Sequence, residues 1–176
     1  MKKQLLHSGW QLTTVGKNDT IPATVPGSVY NDLLNAGRME DPYWRDNEMK
    51  ALALMDEDYR YNTTFDVNAD VLNSERVLLR CEGLDTIADI VLNGEKIASV
   101  CNMHRTWEFD VKDSLKTTGN TLEIVFHSST KYIKEQDKIC HAGGSDDAMV
   151  GFPNLRKAHC MFGWDWGPRL PDAGIW

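Results

Sequence analysis

Ile87-Ala88-Asp89-Ile90-Val91-Leu92-Asn93-Gly94-Glu95-Lys96-Ile97-Ala98-Ser99-Val100 is two apolar-rich runs joined by Asn-Gly. Asn and Gly tolerate the positive φ of a two-residue turn whose twist matches paired strands, so this stretch predicts an antiparallel hairpin. Upstream, Tyr59, Tyr61, Thr63, Phe65 and Val67 alternate with polar residues, a period of two that buries one face of a strand. Arg76 to Cys81 is a further short run. Downstream, Arg105, Trp107, Phe109 and Val111 alternate with His104, Thr106, Glu108 and Asp110, and Leu122, Ile124 and Phe126 follow a Gly119-Asn120 turn. Short strands at this spacing, each with one apolar face, indicate an all-β antiparallel sandwich of jelly-roll type.

On either side the pattern changes. Residues 1–56 read as a lead-in with one short helix over 28–36: Ser28 caps it, Val29, Leu33 and Leu34 form its stripe, and Gly37 ends it. Residues 57–127 hold the core strands. Residues 128–176, with Gly143-Gly144, Pro153, Pro168 and Pro171, read as a long irregular segment. Three of the six tryptophans lie in that segment. Disorder does not account for them, because disordered segments lack aromatics. Gly174-Ile175-Trp176 reads as a strand separated from its continuation.

The 176 residues make one domain, with 41% hydrophobic and 26% charged residues, as in ordinary globular proteins. The net charge of −7 and the scattered Lys and Arg argue against a nucleic-acid partner or an anionic membrane surface. Leu5-Leu6 is too short for a signal-peptide core, so a cytoplasmic location is expected. Cys140-His141 and His159-Cys160 suggest a zinc site only weakly, and adjacent residues seldom reach one metal. No metal or cofactor is expected, and the four cysteines read as buried free thiols. Asp56-Glu57-Asp58 and Asp146-Asp147 read as solvated turns. His7, His104, His127, His141 and His159 are dispersed, and no Gly-x-Ser-x-Gly or phosphate-cradling loop occurs.

Phe162-Gly163-Trp164-Asp165-Trp166-Gly167-Pro168 carries the clearest chemistry. A pyranose has apolar C–H faces that lie on indole planes and hydroxyls that donate to carboxylates, so two indoles flanking an acid suit a sugar. In an extended chain both indoles would share one face and Asp165 would oppose them; a turn at either glycine would bring a ring beside the acid.

Ala23-Thr24-Val25-Pro26-Gly27-Ser28-Val29-Tyr30 with Asp32-Leu33-Leu34 and Gly37 resembles the opening of family 2 glycoside hydrolases of the β-mannosidase type. Asp41-Pro42-Tyr43 with Asn47-Glu48, the Leu92-Asn93-Gly94 hairpin, Arg156-Lys157-Ala158, Phe162 to Pro168, Arg169-Leu170 and Gly174-Ile175-Trp176 are similar to later landmarks of that family. The Trp-Asp-Trp-Gly-Pro element is the most specific. Tyr59 stands where the family often has Trp, and Leu52-Ala53-Leu54-Met55 lacks an expected Trp.

The resemblance implies a galactose-binding-domain-like jelly roll at the N-terminus of a retaining exo-hydrolase of terminal β-mannosides, followed by immunoglobulin-like domains and a catalytic barrel. It implies no catalytic residue here, since a TIM barrel alone needs about 250 residues. It also implies that Asp165 accepts from sugar hydroxyls, Trp164 walls the pocket, Trp166 braces the loop from behind, and Arg156 orients Asp165. A stand-alone carbohydrate-binding module and a purely structural interdomain sandwich are the alternatives.

Overall fold

The computed structural model describes residues 2–143, 145 and 147–176. Gly144 of the paired glycines and Asp146 of the Asp146-Asp147 pair lie outside the described residues. In chain order the strands are β1 Gln11–Thr14, β2 Thr20–Pro22, β3 Gly27–Ser28, β4 Tyr59–Phe65, β5 Leu78–Cys81, β6 Leu84–Asp85, β7 Ile87–Leu92, β8 Glu95–Cys101, β9 Trp107–Asp110, β10 Asn120–Phe126 and β11 Gly174–Ile175. The helices are α1 Val29–Asn35, α2 Asn47–Leu54, α3 Ala69–Leu72 and α4 Ser129–Ile139.

The main antiparallel sheet runs β2-β1-β4-β10-β7-β8, and two shorter sheets, β3-β11-β6 and β5-β9, pack on the same core. At the centre, Ile124 pairs with Tyr61 on one side and Ile90 on the other, and Tyr61 pairs in turn with Leu12. All four are buried. The edge-to-face contacts Trp10–Tyr61 (6.5 Å) and Tyr61–Phe126 (5.9 Å) fill the space above them. The β7–β8 turn has positive φ at both Asn93 (54°) and Gly94 (85°), as a type I′ turn requires. Asn93 also links strands: its Nδ2 donates to Ser114 O and Asn120 Oδ1, and its Oδ1 accepts from Thr121 N.

The expectations outside the sandwich need correction. Segment 1–56 is more than a lead-in, because β1 and β2 complete the main sheet. Among the described residues there are four α-helices rather than one. The expected helix is present as α1, with Ser28 as its N-cap. Helix α2 occupies a stretch read as loop; its Met, Lys, Ala and Leu favour helix, but only Asn47 and Ala51 are buried, so it carries little stripe. Helix α4 lies in the segment read as irregular. Ser128 caps it by accepting from Lys131 N at 3.1 Å. Its few apolar residues, Ile133 foremost, pack with Ala148, Phe152, Leu155 and Phe162 in a second small core.

Buried thiols hold for Cys81 alone; Cys101, Cys140 and Cys160 are exposed. The triplet read as solvated is engaged on three sides. Lys134 and the Thr130 hydroxyl meet Asp56, Lys17 meets Glu57, and Asp58 accepts from Ser128 N. Strand β11 sits between β3 and β6. Among the described residues no helix is long and apolar enough to cross a membrane.

Candidate functional site

The second core ends in Phe162, fully buried, and from there the chain turns outward. Met149 N donates to Phe162 O (3.0 Å), Trp164 N to Asp147 O (2.9 Å) and Leu170 N to Met161 O (2.9 Å). Isolated bridges join Ala148 to Gly163 and Phe162 to Arg169. These contacts bind three passes of chain into a stem that carries Trp164–Trp166 as a single 3-10 turn. Gly163 has φ 98°, and a Cβ there would lie 2.7 Å from both Arg169 Cγ and Asp147 O, so the stem admits only glycine at that point.

The turn settles the geometry left open by the sequence. Trp164 takes φ +66°, a left-handed conformation that is costly for a bulky residue. The two indoles sit side by side, with centroids 5.2 Å apart and planes at 45°, and are 44% and 54% exposed. Trp166 therefore does not brace the loop from behind; it shares the outer surface with Trp164. Asp165 between them is also exposed, and among the described residues its carboxylate has no hydrogen-bond or ion-pair partner. Arg156 is not that partner. It is exposed, and its backbone bridges to Asn102 and accepts from Met103 N.

Two polar links that the sequence reading assigned no role hold the site. Glu48, in the first turn of α2, accepts at one oxygen from Arg169 N (3.0 Å) and Arg169 Nε (2.7 Å). Burial opposes the charge on Glu48, but the hydrogen bonds and charge of Arg169 outweigh it and hold the carboxyl below its ordinary value. The second link lies deeper. Lys157, 1% exposed, donates to the Asp85 carboxylate, itself 1% exposed, and to Asp172 O. Burial pushes both side chains toward their neutral forms, and each partner's charge pulls the other back. The Asp172 carboxylate accepts from Tyr30 N and Ala173 N, and burial, the largest cause, pushes it up to about 6. Lys157 and Glu48 lay within quoted motifs, but only spatial proximity assigns their partners.

Cys140-His141 and His159-Cys160, whose spacing only weakly suggests zinc, do not form a metal cluster: among the described residues no three His, Cys, Asp or Glu side chains come together as a metal site. His141 instead turns to Asp137. His127 is held between Asp58 and Asp89, at 3.1 Å from each.

A family model described as glycosyl hydrolase 2 galactose-binding domain-like matches residues 10–176. The β-mannosidase of Mus musculus is 31% identical, over 97% of this chain and 20% of that protein. A crystal structure of β-D-mannosidase from Dictyoglomus thermophilum superposes with a TM-score of 0.90 at 37% identity, covering 97% of this chain and 21% of that one. The exo-chitosanase of Amycolatopsis orientalis shares the fold, with a TM-score of 0.58 at 20% identity over 68% of this chain and 16% of that one. The chain spans about a fifth of the length of the β-mannosidases it matches.

Proposed function

The chain belongs to the galactose-binding-like N-terminal domains of family 2 glycoside hydrolases, of β-mannosidase-like type, and we propose that it lends a non-catalytic wall to the sugar pocket of a retaining exo-β-mannosidase. One observation carries this reading: an exposed carboxylate without a protein partner among the described residues, set on a strained turn between two exposed indoles. Positive-φ strain at a bulky residue is typical of functional sites. A hydroxyl donating to a carboxylate makes a charge-assisted bond, stronger than one to a neutral acceptor, and the apolar sugar face gains area against Trp164.

In this scheme the chemistry belongs to two carboxyl groups about 5–5.5 Å apart in a neighbouring barrel. Asp165 acts away from the scissile bond, orienting the terminal ring and helping to exclude water. The isolated chain is accordingly inactive, while the longer protein releases p-nitrophenol from its β-mannoside. Asp165→Ala in the longer protein lowers kcat/KM by roughly 10- to 150-fold, the value of a charged hydrogen bond of about 1.5–3 kcal/mol. Unchanged kcat/KM would leave the aromatic turn a structural interface. The side-by-side indoles also suit a self-sufficient lectin platform; mannoside binding by the isolated chain as tight as that of the longer protein would favour that alternative.

A further inference from the structure

The Trp164–Trp166 turn leaves the stem at Gly163 and returns at Arg169, and the returning chain is held by a helix more than a hundred residues earlier in the sequence. Both Arg169 groups that donate to Glu48, the backbone N–H and Nε, converge on one oxygen, and Arg169 Nη2 lies 3.7 Å from Met49 Sδ. Arg169 also forms the bridge to Phe162 that closes the loop, and its Cγ occupies the space that excludes any side chain at Gly163. One arginine therefore touches α2, the stem and the start of the turn. Within the turn itself, Trp164 N to Asp147 O is the only hydrogen bond to the rest of the chain among the described residues. What fixes the outward face is thus the closure at Arg169.

We propose that Glu48 is the positioning residue of this turn: by fixing Arg169 it sets where the Asp165 carboxylate and the two indoles point. Glu48 does not itself touch a ligand. Its importance for catalysis rests on the sugar-pocket reading of the turn; its control of the turn's geometry does not.

The indole pair provides a direct readout. Two indoles 5.2 Å apart and inclined at 45° couple their excited states and give an exciton couplet in far-ultraviolet circular dichroism. Among the described residues no other two tryptophans form such a pair, so Trp166→Phe identifies the couplet in the 176-residue chain. Glu48→Ala is expected to cut its amplitude by more than half. Glu48→Gln, which keeps an acceptor oxygen but not the charge, should fall between Glu48→Ala and the parent. Wild-type amplitude in folded Glu48→Ala overturns the proposal. If Glu48→Ala does not fold, wild-type amplitude in Glu48→Gln does so instead.

In the longer protein Glu48→Ala should lower kcat/KM for the aryl β-mannoside about tenfold and cost clearly less than that in the Asp165→Ala background, where only the placement of the indoles remains to be lost. A full additional loss in that background would show Glu48 working elsewhere and contradict the proposal. A lost couplet combined with an unaffected Asp165→Ala rate would keep Glu48 as the positioning residue and remove the sugar reading alone.

Discussion

Asp165 and His127 show how the same side-chain chemistry diverges with its surroundings. Among the described residues Asp165 has no side-chain partner, whereas the two carboxylates around His127 are engaged. Asp89 accepts from Ser99 Oγ, pairs with Lys96 and meets His127 Nε2. Burial opposes its charge, but the Lys96, Ser99 and His127 contacts bring it down to about 2. For His127 burial pulls the other way, yet the hydrogen bonds and charges of Asp58 and Asp89 raise its pKa above the ordinary value. A raised pKa in the folded state means that the imidazolium adds stability below the unfolded value near 6.5 and loses it as pH rises through the folded one. Urea midpoints should therefore separate parent and His127→Gln more at pH 6 than at pH 9. A separation independent of pH would mean that the imidazole acts only by packing.

Elements are tied together by the buried Lys157–Asp85 pair, which joins the segment before the turn to β6, and by Asp172, whose carboxylate caps the start of α1 through Tyr30 N. Removing one partner of a buried pair leaves an uncompensated charge and costs about 3–5 kcal/mol. Lys157→Met should lower the thermal midpoint by on the order of 10 °C, and adding Asp85→Asn should recover part of that loss. A midpoint unchanged in the single variant would show the pair to be dispensable.

Strands β4, β5, β7, β8, β9 and β10 were legible in the sequence because period two and Asn93-Gly94 are local signals, whereas β1, β2, β3 and β6 are too short or too weakly patterned to be read that way. The row Tyr61–Ile124–Ile90 follows from that alternation once the register is set, while Leu12 joins it through a strand with no such signal. Helices α2 and α4 were not legible as amphipathic elements, since α2 buries only Asn47 and Ala51 and α4 only Thr130 and Ile133. Their stability comes from tertiary packing, which no window of sequence displays. That Trp164, Asp165 and Trp166 stand together needed only their adjacency in the sequence. The side on which Trp166 lies, the engagement of Arg156 elsewhere and the Glu48–Arg169 clasp depend on contacts across the whole chain.

At the scale of the whole molecule, the domain presents the exposed Asp165 and its two indoles from a stem braced by a second core, and the β-mannosidases it resembles are about five times longer. On the proposed reading this face is half of a pocket, completed by a neighbouring domain. The most direct test is a double-mutant cycle in the longer protein that crosses Asp165→Ala with p-nitrophenyl β-mannosides lacking one ring hydroxyl at a time. If Asp165 accepts from a sugar hydroxyl, deleting that hydroxyl removes the effect of the mutation, and kcat/KM shows a coupling of about 1.5–3 kcal/mol for at least one position. Losses that add to within about 0.5 kcal/mol at every hydroxyl would show that Asp165 does not touch the sugar.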